Sequence, residues 1–405
     1  MRASNKEAQN SSWLCCQLGA REHYAVPRAL HLNGLLREFI TDLWIRPGTL
    51  TNWQDRLATR FHSELVNARV TAANAAALTF ELRSQAAGLG GWELIGKRND
   101  WFQESIVTQL ARRERELDQQ PLHVFAYSYA AKGIFKFARE RGWRTVLGQI
   151  DPGPAEERLV AHLHHNGNAN GWKPAPESYW HQWRDECELA EEIVVNSTWS
   201  RDALTSEGIS ANKIRVIPLA FQTSKEAQSF RRTYPSAFTS DRPLRVLFLG
   251  QINLRKGARQ LLDAARVLDN EPVEFWFVGP QQIPVPADLK GHSRIKRFGA
   301  VSRFNVDRFY RDADVFILPT LSDGFGLTQL EAQSWRLPVI ASRFCGAVVQ
   351  HGRNGIILEE VSRDAIAAVI GDLLRAPDKL VEMSEHSYVR DEFSLQSLAS
   401  SFSQL

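Results

Sequence analysis

Short runs of β-branched and other apolar residues alternate with longer helical patterns along most of the chain, and the alternation restarts after residue 241. Strands joined only through helices pair in parallel, and a parallel sheet needs helices on both of its faces. In the first half the runs fall at 13–18, 38–42, 123–127, 145–150 and 193–196, with helical stretches at 101–117 and 178–190, and 214–218 closes the unit. Residues 222–241 carry Pro235 and scattered polar residues without a period, which reads as a linker. Beyond it, 244–249, 273–278, 315–318 and 339–341 read as strands, and 258–268, 328–335 and 364–374 as helices. The expectation is an α/β protein of two doubly wound, Rossmann-like domains facing a central cleft: 1–222, a linker at 223–242, and 243–405, the last helix free to pack back on the first domain. A chain of 405 residues suits two such units of about 200 residues each.

Composition excludes several classes. A hydrophobic share of 43% beside 23% charged residues describes a chain that can bury cores, not a disordered or fibrous one. The net charge of +3 is small and no Lys/Arg block is dense enough for a nucleic-acid arm, so no nucleic-acid partner is expected. Cys15, Cys16, Cys187 and Cys345 lack metal-ligand spacing and read as buried free thiols in a reducing compartment. Residues 1–12 are polar, and no segment approaches the roughly 20 apolar residues of a membrane helix. A cytoplasmic location is expected, with peripheral contact at the inner face of a membrane compatible with it; oligomeric state is open.

Two segments carry chemistry. Pro319-Thr320-Leu321-Ser322-Asp323-Gly324-Phe325-Gly326-Leu327-Thr328-Gln329-Leu330-Glu331-Ala332 runs from a buried strand into a helix. Gly324 and Gly326 let the backbone turn and approach a ligand, and the helix start offers unpaired N–H groups suited to a diphosphate. Glu331, in the first turns of that helix, can accept hydrogen bonds from hydroxyls; the alternative is a plain turn with a solvated glutamate. The second segment, Leu249-Gly250-Gln251-Ile252-Asn253-Leu254-Arg255-Lys256-Gly257, also ends a strand. Ligands of open α/β sheets gather outside such ends, so Lys256 can meet the Gly324 loop in one crevice as a point charge on phosphate.

These segments resemble, in order, the C-terminal domain of the family-four retaining glycosyltransferases of the GT-B fold, the group with sucrose synthases and phosphatidylinositol mannosyltransferases. The resemblance extends through Phe298-Gly299-Ala300-Val301, residues 310–319, His351-Gly352-Arg353-Asn354-Gly355 and back to Val195-Asn196-Ser197-Thr198-Trp199-Ser200-Arg201. It covers roughly residues 190 to 400; the first 190 match loosely. It implies a nucleoside diphosphate sugar as donor and a saccharide, lipid or small-molecule acceptor held by the first domain. It also implies retention of configuration, with no cofactor and no metal. Carried over, Lys256 neutralises the diphosphate beside Gly250, Gly324 to Thr328 (with Phe325, Gly326 and Leu327) cradle it, Phe298 and Gly299 border the base, and Glu331 holds the ribose.

The chain departs from that pattern in places. The family's E-x(7)-E pair is here Asp323 and Glu331, one methylene shorter at the carboxylate that meets the transferred sugar. Gln251 stands where an arginine is usual, and Arg255 is the candidate to compensate. In the first domain Gly19 marks a reduced acceptor loop before a helix expected at Glu22. Asp151 follows the strand read at 145–150, without the usual histidine; it can face the crevice, and its alternative reading is a turn or helix cap. These losses leave room for a rival reading, an inactive nucleotide-binding or assembly protein on the same fold. Asp312-Ala313-Asp314 mimics a metal site but fills a structural slot, and His162, His164 and His165 read as surface residues. Trp172, Trp180 and Trp183 read first as packing residues and second as a sugar platform.

Overall fold

The computed structural model describes residues 12–46, 59–117, 122–166 and 172–405. Seven parallel strands form the first sheet: β1 (Ser12–Gln17), β2 (Leu36–Thr41), β3 (Val70–Ala72), β4 (Leu122–Tyr127), β5 (Arg144–Gly148), β6 (Glu192–Val195) and β7 (Ile214–Val216), in the order β3-β2-β1-β4-β5-β6-β7. Six form the second: β8 (Leu244–Leu249), β9 (Val273–Val278), β10 (Ile295–Gly299), β11 (Val315–Leu318), β12 (Val339–Ser342) and β13 (Gly355–Leu358), in the order β10-β9-β8-β11-β12-β13. Both sheets are doubly wound: the order reverses between β1 and β4 and again between β8 and β11, which opens a crevice beyond the strand ends at each place.

The central strands are apolar on both faces because helices cover both. Phe248 packs 5.7 Å from Phe277 on the neighbouring strand, within a core that includes Val246, Leu261, Ile317 and Ile370. The edge strands β3, β10 and β13 escaped the sequence reading. They are short and partly solvated: β3 is half-buried throughout, β10 is buried only at Ile295, and β13 only at Gly355 and Leu358, so they lack the apolar run of a buried strand. The helical stretch read at 101–117 is two helices, Gly91–Ala111 and Glu114–Leu117.

The aperiodic segment between the sheets is docked, not a free tether. Arg232 donates to the carbonyls of Tyr310 (2.6 Å) and Trp335 (2.9 Å), and Tyr234 Oη donates to the Asp314 carbonyl at 3.0 Å. Such a role needs single long side chains at fixed points and leaves no periodicity to read. The final helix, Leu395–Phe402, lies on the first sheet, with Phe402 5.3 Å from Trp13 and 5.4 Å from Phe125. All four cysteines are free and buried, and burial raises each thiol's pKa. Among the described residues no helix is long and apolar enough to cross a membrane.

Candidate active site

The loops that follow β8 and β11 leave the second sheet on either side of its reversal point and meet the first domain across a cavity of about 400 Å³. Gly250, Gln251, Arg255, Lys256, Asp323 and Phe325 to Thr328 line it from one side; Arg21, Glu22, Ile150 and Asn196 line it from the other. Gly257 has φ +72°, and a Cβ there would stand 1.8 Å from the Pro319 carbonyl oxygen, so glycine is what lets the two loops touch. Gly326, at φ +78°, turns the chain into the helix Thr328–Ser334.

The charges are paired in this arrangement. Lys256 Nζ is bound to Asp323, and the Lys256 amide donates to Asn253 Oδ1 at 3.0 Å. Burial works against the charge on Asp323, but Lys256 and Arg255 outweigh it and hold the carboxyl below its usual range. Arg255 Nη1 donates to the Ser322 carbonyl at 2.8 Å and reaches Glu156 Oε2 of the first domain at 3.3 Å. The position of Arg255, which sequence alone left open, is therefore the rim of the cavity beside Gln251.

Glu331 does not line this cavity. Its carboxylate accepts from Tyr310 Oη at 2.6 Å, and burial raises its pKa. Phe298 and Gly299 lie further out: Phe298 is exposed and packs edge-on to Phe309 at 4.8 Å, and Gly299 accepts from the Gly279 amide at 2.8 Å. Gly324 sits at the domain seam, where an added Cβ would stand 2.4 Å from the Ile150 carbonyl oxygen.

A second cavity of about 660 Å³ belongs to the first domain and shares Arg21 and Ile150 with the first. Gly19 lines it at φ +81°, with its amide on Asp42 Oδ1 at 2.9 Å. Asp151 lines it too, accepting from Tyr129 Oη at 2.5 Å and from the Gly153 amide at 2.9 Å, so it both faces the cavity and makes the turn its proline suggested. Tyr129 adopts φ +77°, a strained value for a tyrosine. Its amide is held by the buried Glu186 carboxylate at 2.6 Å and its ring stacks on Tyr179 at 4.7 Å.

One expectation needs correction. No helix begins at Glu22: Glu22, His23 and Tyr24 are left-handed (φ 49°, 56° and 61°), Glu22 accepts from Tyr127 Oη at 2.9 Å, and the α-helix begins at Ala25. The aromatic walls of the larger cavity include Trp92, Trp101, Tyr129 and Tyr179, while the grouped tryptophans take the packing role read first for them. Trp183 is fully buried with Nε1 on Gln149 Oε1 at 2.9 Å, Trp180 donates to Glu157, and Trp172 stacks on His164. Asp314 is consumed by Arg242 (2.6 Å) and the Arg245 amide (2.9 Å), and among the described residues no three His, Cys, Asp or Glu side chains group as metal ligands.

Glu156 escaped the sequence reading, and Ser322 and Trp199 stand in the quoted segments without a role. Glu156 stands in the first turn of the helix Pro154–Asn166, where a glutamate is ordinarily a solvated helix-start residue. Only the meeting of the two domains gives it partners.

Residues 243–376 match the family Glycosyl transferases group 1. A D-inositol 3-phosphate glycosyltransferase of Corynebacterium urealyticum is 30% identical over 156 residues, 35% of this chain and 37% of that protein. The chain spans less than half the length of the first such curated relatives. Among solved structures, sucrose-phosphate synthase from Thermosynechococcus elongatus superposes with a TM-score of 0.67 at 17% identity, covering 98% of each chain. Anabaena Alr3699/HepE in complex with UDP-glucose superposes with a TM-score of 0.60 at 16% identity, covering 98% of this chain and 100% of that one. Two doubly wound sheets in GT-B arrangement, with the two loop segments at the reversal point of the second, make this a protein of the GT-B fold whose residues 243–376 match the family Glycosyl transferases group 1.

Proposed function

We propose that the protein moves a glycosyl group from a nucleoside diphosphate sugar to a saccharide, lipid or small-molecule acceptor, with retention of configuration and without a metal ion. The observation that carries this reading is the convergence of Lys256, Arg255, the Gly326 turn and Asp323 on one interdomain cavity. Two cations beside a glycine turn stabilise the diphosphate as its bond to the anomeric carbon breaks, a place where charge grows during the reaction. Anabaena Alr3699/HepE is described in complex with UDP and with UDP-glucose, which supports this donor class. Glu331, fixed by Tyr310, holds the ribose, and Phe298 and Gly299 border the base. The acceptor enters through the larger cavity, whose aromatic walls suit a sugar or apolar group and whose inner end, at Asp151 and Ile150, adjoins the donor.

The test is release of nucleoside diphosphate from a panel of donor sugars, with and without EDTA. Release that persists in EDTA is expected. Activity lost in EDTA and restored by magnesium or manganese would overturn the metal-free part, and nucleoside diphosphate binding without any turnover would favour the inactive-protein reading.

A further inference from the structure

Beside the donor cavity the contact between the domains combines apolar packing, Trp199 edge-on to Phe344 at 5.0 Å, with a cluster of charged and hydrogen-bonded groups. Glu156 comes from the helix after Asp151, and its Oε2 accepts from Ser322 Oγ at 2.7 Å and from Arg255 Nη1 at 3.3 Å. Trp199, on another helix of the first domain, donates Nε1 to the same Ser322 Oγ at 3.1 Å. Arg255 is in turn tied to the Ser322 carbonyl at 2.8 Å, and its own carbonyl accepts from the Leu321 amide at 2.8 Å. The charged groups facing Glu156 are Arg255, Asp151 and Asp323, with Lys256 bound to Asp323. Two of these carboxylates pair with the two cations, Glu156 with Arg255 and Asp323 with Lys256, while Asp151 is held by Tyr129 and Gly153; Glu156 lines neither cavity and Arg255 lines the donor cavity.

A diphosphate carries at least two further negative charges into this set. Lys256 and Arg255 cannot neutralise both it and their present carboxylates, so one carboxylate must give way. Asp323 is held ionised by two cations. Glu156 is the opposite case: burial, with Asp151 and Asp323 nearby, outweighs Arg255 and Ser322 and pushes its carboxyl up to about 7.

Resting on the donor reading above, we propose that Glu156 is a positioning residue for the donor: in the empty cleft it holds Arg255 across the domain boundary, and it yields that guanidinium to the diphosphate by taking a proton from solvent. The neutral acid still bonds Ser322, so the domains stay joined while the charge of Arg255 turns to phosphate. Arg255 thereby supplies the cation that Gln251 lacks. Proton uptake is then linked to binding, because the state that binds diphosphate carries one more proton.

Calorimetry with UDP, GDP and ADP in buffers of different ionisation enthalpy measures that proton directly. The wild type is expected to take up roughly half a proton or more at pH 7.5 and to bind about tenfold more weakly at pH 8.5 than at pH 6.5. Glu156→Gln, which mimics the protonated acid, should lose the uptake beyond the nucleotide's own titration and bind more tightly than wild type at pH 8.5. Arg255→Met should lose both affinity and the linkage. Binding without proton uptake, or equal uptake in Glu156→Gln, overturns the proposal and leaves the donor reading standing. Failure of the wild type to bind any of the three nucleotides overturns the donor reading and this proposal with it.

Discussion

The ion pair between Lys256 and Asp323 means that the residue best placed to meet a diphosphate is already engaged. Their side chains are 16% and 15% exposed, so the pair is largely desolvated and removing one member leaves a costly charge behind. Lys256→Ala should therefore weaken nucleoside diphosphate binding about ten- to hundredfold and also lower unfolding stability by about 2 to 4 kcal/mol. Titration calorimetry beside urea unfolding checks both, and unchanged affinity in a folded mutant would remove Lys256 from the site. Asp323 behaves differently. Asp323→Glu and Asp323→Ala should cut kcat about tenfold or more, about 1.4 kcal/mol of barrier, because a group against the transferred sugar acts mainly in the transition state. Glu331→Gln should instead raise the donor KM, since a ribose contact is present in ground and transition states alike. Steady-state kinetics separate the two, and an intact kcat in both Asp323 variants would reduce that loop to a structural turn. The reach of sequence reading is visible at these residues. Lys256 and Asp323 announce themselves because each stands beside a glycine at a strand end, whereas Glu156 and Tyr129 look like any helix-start glutamate and any loop tyrosine until the fold supplies their partners.

At the scale of elements, the left-handed turn Glu22–Tyr24 occupies the place where a helix start was expected. Periodicity could not reveal it, since three consecutive non-glycine residues with positive φ contradict local preference and persist only where neighbours hold them. Arg28 Nη1 does part of this, reaching the His23 carbonyl at 3.3 Å while Nε bonds Glu64 at 2.8 Å. His23 faces Arg303 of the second domain, and burial together with Arg303, Arg28 and His62 lowers its pKa to about 3; burial and Arg28 lower His62 to about 4. Both imidazoles bind protons less readily folded than unfolded. Their contribution to stability is present above about pH 6.5 and is lost as pH falls from there toward about 4 for His62 and about 3 for His23. His23→Gln should flatten that acid limb in a plot of melting temperature against pH, with the wild type losing more stability than the mutant between pH 6.5 and 4. Parallel curves would mean that the turn tolerates a charged imidazole. The Gly257 crossing is sharper still: with Pro319 backbone 1.8 Å from any Cβ and φ at +72°, Gly257→Ala should cost about 2 to 4 kcal/mol and disorder both donor loops together.

For the whole molecule, the sheets were legible because their central strands are buried on both faces, but their relation was not, because it rests on a few cross-domain contacts spread along the sequence. Glu156 to Ser322, Trp199 to Ser322, and Ser200 Oγ to the Gly324 carbonyl at 3.4 Å form one seam, and Gly324 lies where the backbones come closest. A Cβ there would stand 2.4 Å from the Ile150 oxygen and 3.4 Å from Asp151 Cα, both backbone atoms that cannot rotate away. No left-handed backbone is required at Gly324, so alanine fits the second domain by itself and clashes only with the first. Gly324→Ala should thus leave melting of the domain cores nearly unchanged and keep nucleoside diphosphate affinity within about threefold, since the phosphate cations belong to the second domain. It should nevertheless force the domains apart at the edge where donor and acceptor cavities adjoin. Misplacing reacting groups by about 1 Å can cost about a hundredfold in rate, so the predicted signature is a large fall in kcat with little change in diphosphate affinity, accompanied by a larger radius of gyration in solution scattering. Full activity in Gly324→Ala would show that transfer takes place with the domains further apart than this seam holds them.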